Sequence, residues 1–192
     1  PLRPFDLTSE LLDRSEAVFR RVDPELGEHF QFMREESLLD LESRKGKAPG
    51  GYMSDLSERR WPFIFMNAVG LDRDVRTLLH EFGHALHGLS SNVAYPTLNG
   101  GVRDYTEFQS QLLERWLPTD EVISRFLVHY KTGEPMPKEL VAKIKAAANF
   151  NQGFSTTEYL ASAIVDMRFH SVDPTGIVGS DGRSINAVMR RL

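Results

Sequence analysis

The residues best suited to chemistry in this sequence are two histidines and their neighbours, in the run His80-Glu81-Phe82-Gly83-His84. Histidines four residues apart come round to the same side of an α-helix, so both imidazoles can bind one metal ion. Imidazole nitrogens bind Zn²⁺ at about 2.0–2.1 Å. Glu81 would lie beside the metal, where a carboxylate can take a proton from metal-bound water. The run therefore predicts a zinc site with Glu81 as its general base.

The elements around this run have to hold it in place. The stretch from Asp72 to Leu89 has the apolar periodicity of an amphipathic helix, with its apolar side chains opposite the two histidines. Either Asp72 or Asp74 can cap its start. A solvated polar face without a metal would show the same pattern, so this helix alone does not decide between the two interpretations.

A second helical pattern supplies a third ligand. Residues 102–117 carry an apolar stripe formed by Tyr105, Phe108, Leu112 and Trp116. Glu107 projects from the opposite side and lies 23 residues after His84, beyond a glycine-rich turn. Catalytic zinc sites with two histidines and one glutamate keep the fourth position open for water. We therefore expect Glu107 to complete the site.

Other residues have to be considered as the third ligand. A histidine six residues after His84 is excluded, because Ser90 stands at that position. Asp104 and Glu114 are the fallback ligands if Glu107 is wrongly placed.

These motifs together resemble a known family. HEFGHALHGL at 80–89, followed by RDYTEFQSQ at 103–111, is similar to the thimet oligopeptidase, oligoendopeptidase F and peptidyl-dipeptidase family of zinc metallopeptidases, which carries HExxH and then E-x-x-S on the next long helix. The likeness runs from about residue 4 to 173 and includes 44–52, 63–67, 149–153 and 166–170. The resemblance implies one Zn²⁺ per chain, with His80, His84 and Glu107 as ligands and Glu81 as the catalytic base.

The resemblance also implies a fold and an activity. We expect a mainly α fold with a small β element, a zincin-like catalytic core in which the HExxH helix packs beside a second, Glu-bearing helix. Residues 1–192 should form a single catalytic-core domain that lacks the family's N-terminal domain and its C-terminal Gly/Tyr-rich segment. The expected function is zinc-dependent hydrolysis of short peptides. The alternative is a catalytically weak zinc- or peptide-binding module, because the oxyanion-stabilising Tyr/His segment has no equivalent here.

Two stretches before the zinc helix are candidates for binding substrate. Residues 43–51 predict a loop, because Pro49, Gly50 and Gly51 interrupt the pattern, and Tyr52 begins a strand. Residues 63–69 predict a β-strand that could bind a peptide by strand addition, although an ordinary core strand fits equally well. The candidate substrate-binding residues are Gly50, Gly51, Tyr52, Asn67 and Ala68.

The histidine ligands also need partners for their second ring nitrogens. The sequence offers Asp104, Ser110, Gln111 and Glu114 and does not choose among them.

The remaining helices follow from capping and periodicity. We expect them at residues 8–21, 24–39, 120–130, 137–150, 156–170 and 184–192. If the catalytic core is only one wall of a channel, apolar side chains will be exposed and will drive self-association or contact with missing parts of the parent enzyme. The candidates are Phe5, Phe32, Trp61 and Phe154.

Composition excludes several other classes. The chain is 41% hydrophobic and 26% charged with a net charge of −4, and no basic stripe suggests a nucleic-acid partner. Cysteine is absent, which excludes disulfides and thiolate metal ligands and is compatible with a cytoplasmic location. No run approaches a membrane span, so we expect no membrane partner. A structural helical domain with an accidental HExxH is the remaining alternative.

Overall fold

The computed structural model of the chain describes residues 4–125, 129 and 132–171. Helices predominate beside one small three-stranded sheet, which confirms the predicted fold class. The contacts divide the chain into two units, Pro1–Met136 and Pro137–Leu192, and each is described by itself.

The first unit opens with a helical pair, α1 (Thr8–Val22) and α2 (Pro24–Glu35). Asp23 caps α2, because its carboxylate accepts a 2.8 Å hydrogen bond from the Glu25 N–H. The prediction that α2 continues to residue 39 is wrong. Ser37 adopts a φ of 58° and the Leu38 N–H bonds back to the Met33 carbonyl at 2.9 Å, so the chain leaves the helix before the first strand begins.

The sheet contains β1 (Leu39–Glu42), β2 (Gly51–Leu56) and β3 (Trp61–Ala68) in the order β1-β3-β2. β3 is parallel to β1 and antiparallel to β2. Every second residue of β3 is buried, which is the period of a strand with one face against a core. Among the described residues no other strand pairs with β2, so β2 is an edge strand, whereas β3 is central.

The long helix α3 (Asp72–Leu89) follows β3 directly. Its Phe82 is fully buried, with its ring centroid 4.5 Å from that of Phe19 on α1 and 5.2 Å from that of Phe30 on α2. This aromatic cluster joins three helices and anchors the middle of α3 in the core.

The next elements are the 3₁₀ turns Pro96–Leu98 and Arg103–Tyr105, then α4 (Phe108–Trp116) and α5 (Asp120–Arg125). The predicted helix over 102–117 therefore begins later than expected, with Glu107 at the N-cap of α4.

The apolar stripe of residues 102–117 does not face the core of the first unit. Its side chains are 43–55% exposed: Tyr105, Phe108, Leu112 and Trp116. Ser110 and Leu113 are buried instead. The reason is close packing, because a Cβ built on Gly83 of α3 would lie only 2.6 Å from the Ser110 Cα. At such a short helix separation the interface needs small side chains, whatever their polarity.

Three of the four side chains predicted to form an exposed apolar surface are covered. Phe5 is buried, and Phe32 and Trp61 are partly buried against each other with ring centroids 5.4 Å apart. Only Phe154, in the second unit, is exposed as predicted.

In the second unit the structure describes α6 (Lys138–Ala148) and α7 (Gln152–Ser171). Neither helix has a buried residue. The helix predicted at 184–192 lies outside the described residues, as does the end of the helix predicted at 120–130. Among the helices that are described, none combines the length and the apolar character needed to cross a membrane.

Candidate active site

The start of α3 is fixed by a buried carboxylate. Asp74 accepts hydrogen bonds of 2.8 Å from the N–H groups of Val69 and Leu71, which link the end of β3 to the first turn of α3. Of the two predicted capping residues, Asp74 makes these bonds. The direction and rotation of α3 are thereby set before the chain reaches His80.

His80, His84 and Glu107 lie together. Glu107 Oε2 is 3.1 Å from His80 Nε2 and 3.2 Å from His84 Nε2. One potential ligand atom from each residue falls within 4.8 Å of the others. Donors held about 2.0–2.1 Å from a tetrahedral Zn²⁺ are about 3.3–3.4 Å apart. Two imidazoles and one carboxylate at these separations fit a zinc ion with an open fourth position.

Glu107 is held by Ser110, which is fully buried. The Ser110 hydroxyl lies 2.8 Å from Glu107 Oε2 and 3.1 Å from the Glu107 carbonyl oxygen, and its single hydrogen can be donated to either. The hydrogen bond from Ser110 is the main reason that the pKa of Glu107 is lowered; desolvation opposes it, and His84 and His80 add to the lowering. The carboxylate is therefore kept in the ionised form that a metal ligand requires.

His80 is oriented by Glu114. Its Nδ1 lies 3.4 Å from Glu114 Oε2, so a proton on Nδ1 leaves Nε2 free to face Glu107. Of the other predicted partners, Gln111 is exposed. Its backbone N–H donates a 3.1 Å hydrogen bond to the Glu107 carbonyl oxygen. Asp104 is exposed in the turn before α4, and no hydrogen bond to His80 or His84 is seen for it within the described ranges.

Glu81 has different surroundings from Glu107. Its side chain is buried, and desolvation raises its pKa. The backbone N–H of Met53 on β2 hydrogen-bonds to it and, with the nearby histidines, opposes that rise. Glu81 is thus a partly desolvated carboxyl group next to the candidate metal ligands and beside the free edge of β2, which suits a general base.

The predicted substrate-binding residues divide between two strands. Gly50, with a φ of 96°, accepts a 3.1 Å hydrogen bond from the Asn67 N–H, and Gly51 begins β2. Tyr52 is half exposed and stacks on the Phe65 ring at 4.9 Å. Ala68 is buried.

Strand addition at β3 is excluded by the sheet order. Ala68 faces Glu42 of β1, and the Asn67 N–H is already bonded to Gly50. The prediction that this strand could bind a peptide is therefore wrong, because β1 and β2 occupy both of its edges. The free edge beside Glu81 belongs to β2.

A groove of about 220 Å³ opens beside His84 and is lined in part by Met53, His87 and Tyr105. Sequence reasoning missed Met53 and Gly83. The Met53 contact is made by its backbone and has no side-chain signal. Gly83 did leave a signal, because glycine in the middle of a helix costs about 1 kcal/mol relative to alanine and usually has a packing reason.

Comparisons with known proteins bear on this geometry. A sequence profile described as peptidase family M3 matches residues 22–190. The chain belongs to peptidase family M3. A dipeptidyl carboxypeptidase of Escherichia coli is 45% identical over 52% of this chain and 15% of its own length. A dipeptidyl carboxypeptidase of Salmonella typhimurium is 38% identical over 70% of this chain and 22% of its own length.

Solved structures agree with the family assignment. An X-ray structure assigned to oligoendopeptidase F superposes on this chain with a TM-score of 0.63 and 27% identity. The match covers 86% of this chain and 27% of the other chain. PZ peptidase A in complex with an inhibitor gives a TM-score of 0.55 at 33% identity, over 59% of this chain and 20% of its own. The M3 chain described here thus spans about a fifth of the length of the curated relatives it matches.

Proposed function

We propose that this M3 chain carries the catalytic core of a zinc metallopeptidase that hydrolyses short peptides. The observation that carries the proposal is the meeting of His80, His84 and Glu107, whose donor atoms lie 3.1 and 3.2 Å apart across two separate helices. In this proposal these three side chains hold one Zn²⁺. The family assignment supports hydrolysis over the alternative of a binding module without turnover.

In this proposal the protein side chains around the metal have separate roles. When bound, zinc supplies Lewis-acid chemistry, because it makes a water molecule more acidic and polarises a carbonyl group. Glu81 accepts the proton of the attacking water and delivers it to the leaving amine. Glu114 keeps the proton of His80 on Nδ1, and Ser110 keeps Glu107 ionised and oriented.

The free edge of β2 is the proposed place for the substrate backbone. An extended peptide that pairs with β2 would run past Glu81, because the Met53 N–H and the Glu81 carboxylate meet at that edge. Main-chain pairing of this kind is compatible with varied side chains. Gly50, Gly51 and Tyr52 lie where β2 begins and are proposed to contact the peptide there.

The proposal is tested by metal analysis and peptide cleavage on the full-length protein. We expect one Zn²⁺ per chain, loss of the metal in His84→Ala, and cleavage of a fluorogenic peptide that a chelator stops and added zinc restores. An exposed histidine, His170, provides the matched control, and His170→Ala should retain the metal and the activity. A wild-type protein without zinc affinity would contradict the proposal.

The relatives differ in the reaction that their names describe. Two are named dipeptidyl carboxypeptidase, and others are named oligopeptidase A, among them one from Escherichia coli that is 31% identical. Mass spectrometry of the products separates dipeptide release from internal cleavage. The cytoplasmic location and the self-association of the chain stay predictions.

A further inference from the structure

Gly83 lies where the two helices of the site come closest. It is buried on α3, and a Cβ at this position would lie 2.6 Å from the Ser110 Cα, 2.8 Å from the Gln109 oxygen and 3.0 Å from the Gln109 carbonyl carbon. All three atoms belong to the backbone of α4. No side-chain rotation can relieve these contacts, so any larger residue has to displace a helix.

The turn that would be displaced also carries Glu107. The Gln111 N–H bonds to the Glu107 carbonyl oxygen at 3.1 Å, and the Ser110 hydroxyl bonds to the Glu107 carboxylate at 2.8 Å. The Glu107 carboxylate is thus tied to Ser110, which faces Gly83, and the Glu107 carbonyl is tied to the next residue of the same turn. A movement of this turn moves the ligand with it.

The size of the movement decides its effect. Carbon atoms in contact are normally about 3.5–4.0 Å apart, whereas the Cβ at position 83 would be 2.6 Å from the Ser110 Cα. The first turn of α4 would therefore have to retreat from α3 by roughly 1 Å. Ligand distances in a well-formed metal site lie within about 0.2 Å of their usual values. A shift of roughly 1 Å in the backbone that carries Glu107 is several times larger, so the carboxylate would have to leave its present rotamer to reach the metal.

We infer that Gly83 is a positioning residue for the metal centre: the missing side chain lets α4 approach α3 closely enough for Glu107 to meet His80 and His84. This inference rests on the proposed function, because it concerns the same three ligands. It explains why a residue that is unfavourable in a helix stands between the two histidines.

A second glycine on the same helix provides a matched control. A Cβ on Gly88 would lie 3.1 Å from the Asp55 Oδ1, which is the end of an exposed and rotatable side chain. Gly83→Ala and Gly88→Ala add the same methyl group to α3, the first in its interior and the second in its last turn. Only Gly83→Ala places the methyl group against backbone atoms of another helix.

The experiment measures zinc affinity by competition with a chromogenic chelator, the visible spectrum of the Co²⁺-substituted protein, and folding by circular dichroism. We expect Gly83→Ala to fold and to bind zinc about 10–100-fold more weakly than the wild type, with altered Co²⁺ bands. Gly88→Ala should match the wild type in affinity and spectrum. A Gly83→Ala protein with wild-type affinity and spectrum would overturn the inference, as would one that does not fold even with zinc.

Ser110→Ala tests the same link without adding an atom. It removes the hydroxyl that holds the Glu107 carboxylate and should weaken zinc binding by about 10-fold or more while the fold is kept. Unchanged affinity in Ser110→Ala would contradict the claim that this turn holds Glu107. A wild-type protein that binds no zinc would instead contradict the proposed function itself, so the two failures are distinguishable.

Discussion

At the scale of single residues, the two glutamates of the site have opposite electrostatic surroundings. Burial raises the pKa of Glu81, whereas the Ser110 hydroxyl lowers the pKa of Glu107. A bound Zn²⁺ would favour the ionised form of both. Because a ligand has to stay ionised and a base has to exchange protons near neutral pH, these surroundings suit Glu107 as ligand and Glu81 as base.

Glu81→Gln should separate catalysis from metal binding. The exchange keeps the shape of the side chain but removes the proton acceptor, so we expect unchanged zinc content and a turnover rate lower by about 10²–10⁴-fold. Zinc is measured by elemental analysis and turnover with a fluorogenic peptide. Glu28→Gln, at an exposed position of α2, is the control and should have no effect. If Glu81→Gln loses zinc as completely as His80→Ala, Glu81 is a ligand and its proposed role is wrong.

The sequence predicts the ligand set but not which residues orient it. His80, Glu81 and His84 follow from helical spacing within one element, which sequence reveals directly. Glu114 cannot be chosen over Asp104 in this way, because the choice depends on where α4 begins and how closely it approaches α3. The apolar stripe of residues 102–117 does not identify the buried face of α4, since close packing at Gly83 buries Ser110 in place of Phe108.

At the scale of elements, the sheet shows again that long-range contacts cannot be predicted from the sequence. Residues 63–69 are recognisable as a strand from their composition, and the structure forms β3 there. Whether a strand lies at the centre or the edge depends on long-range pairing, which composition does not encode. The edge proposed to bind a peptide can therefore be assigned to β2 only when the order β1-β3-β2 is known.

Phe82 anchors α3, and its removal should destabilise the fold strongly. Phe82→Ala would leave a cavity between Phe19 and Phe30 and should lower the free energy of unfolding by about 3–5 kcal/mol. Phe108→Ala is the control, because Phe108 is exposed and should lose much less. Urea unfolding followed by circular dichroism measures both. Equal losses in the two variants would show that the aromatic cluster does not anchor α3.

The loop between β1 and β2 is held by Asp40. Its carboxylate accepts hydrogen bonds from Arg44 at 2.6 and 2.7 Å and from Lys47 at 3.0 Å. The Lys47 side chain is almost completely buried and lies 4.6 Å from the centre of the Phe65 ring. Chiefly because of Arg44, the pKa of Asp40 falls from 3.8 to about 2. The loop that leads to Gly50 is therefore fixed by an ion-pair network.

Asp40→Asn should make stability less dependent on pH. A pKa lowered on folding stabilises the native state above the unfolded-state value of 3.8, and this contribution is lost as the pH falls through about 2. We expect Asp40→Asn to be less stable at pH 7 by about 1–2 kcal/mol, since solvent screens part of the interaction. The difference should shrink as the pH is lowered from 4 towards 2 in urea unfolding. Asp104→Asn, at an exposed carboxylate, is the control; a deficit that is independent of pH would contradict the mechanism.

At the scale of the molecule, the described part of the second unit exposes several large apolar side chains. Phe150 is 84% exposed, Phe154 63% and Tyr159 75%, and no residue of α6 or α7 is buried. Helices that are apolar over much of their surface are normally covered. The curated relatives are several times longer than this chain.

We expect the purified 192-residue chain to self-associate through this surface. Sedimentation velocity should show species larger than a monomer, and the double change Phe150→Ser with Phe154→Ser should reduce them together with the binding of a hydrophobic dye. Leu7→Ser, at an exposed apolar residue of the first unit, is the control and should leave association unchanged. A monodisperse wild-type monomer that binds no dye would contradict the expectation.

The unpaired edge of β2 has a cost that its proposed role makes unavoidable. An edge that can take up any extended peptide can also take up a strand of another protein, and open edges of this kind are starting points for aggregation. Tyr52 and Leu56 add exposed apolar surface to the strand, whereas Asp55 places a charge there. Bulges, prolines or lysines would protect the edge but would also obstruct a peptide that pairs with it. If β2 binds a peptide as proposed, the edge can be protected only by restricted access and not by changes to the strand itself.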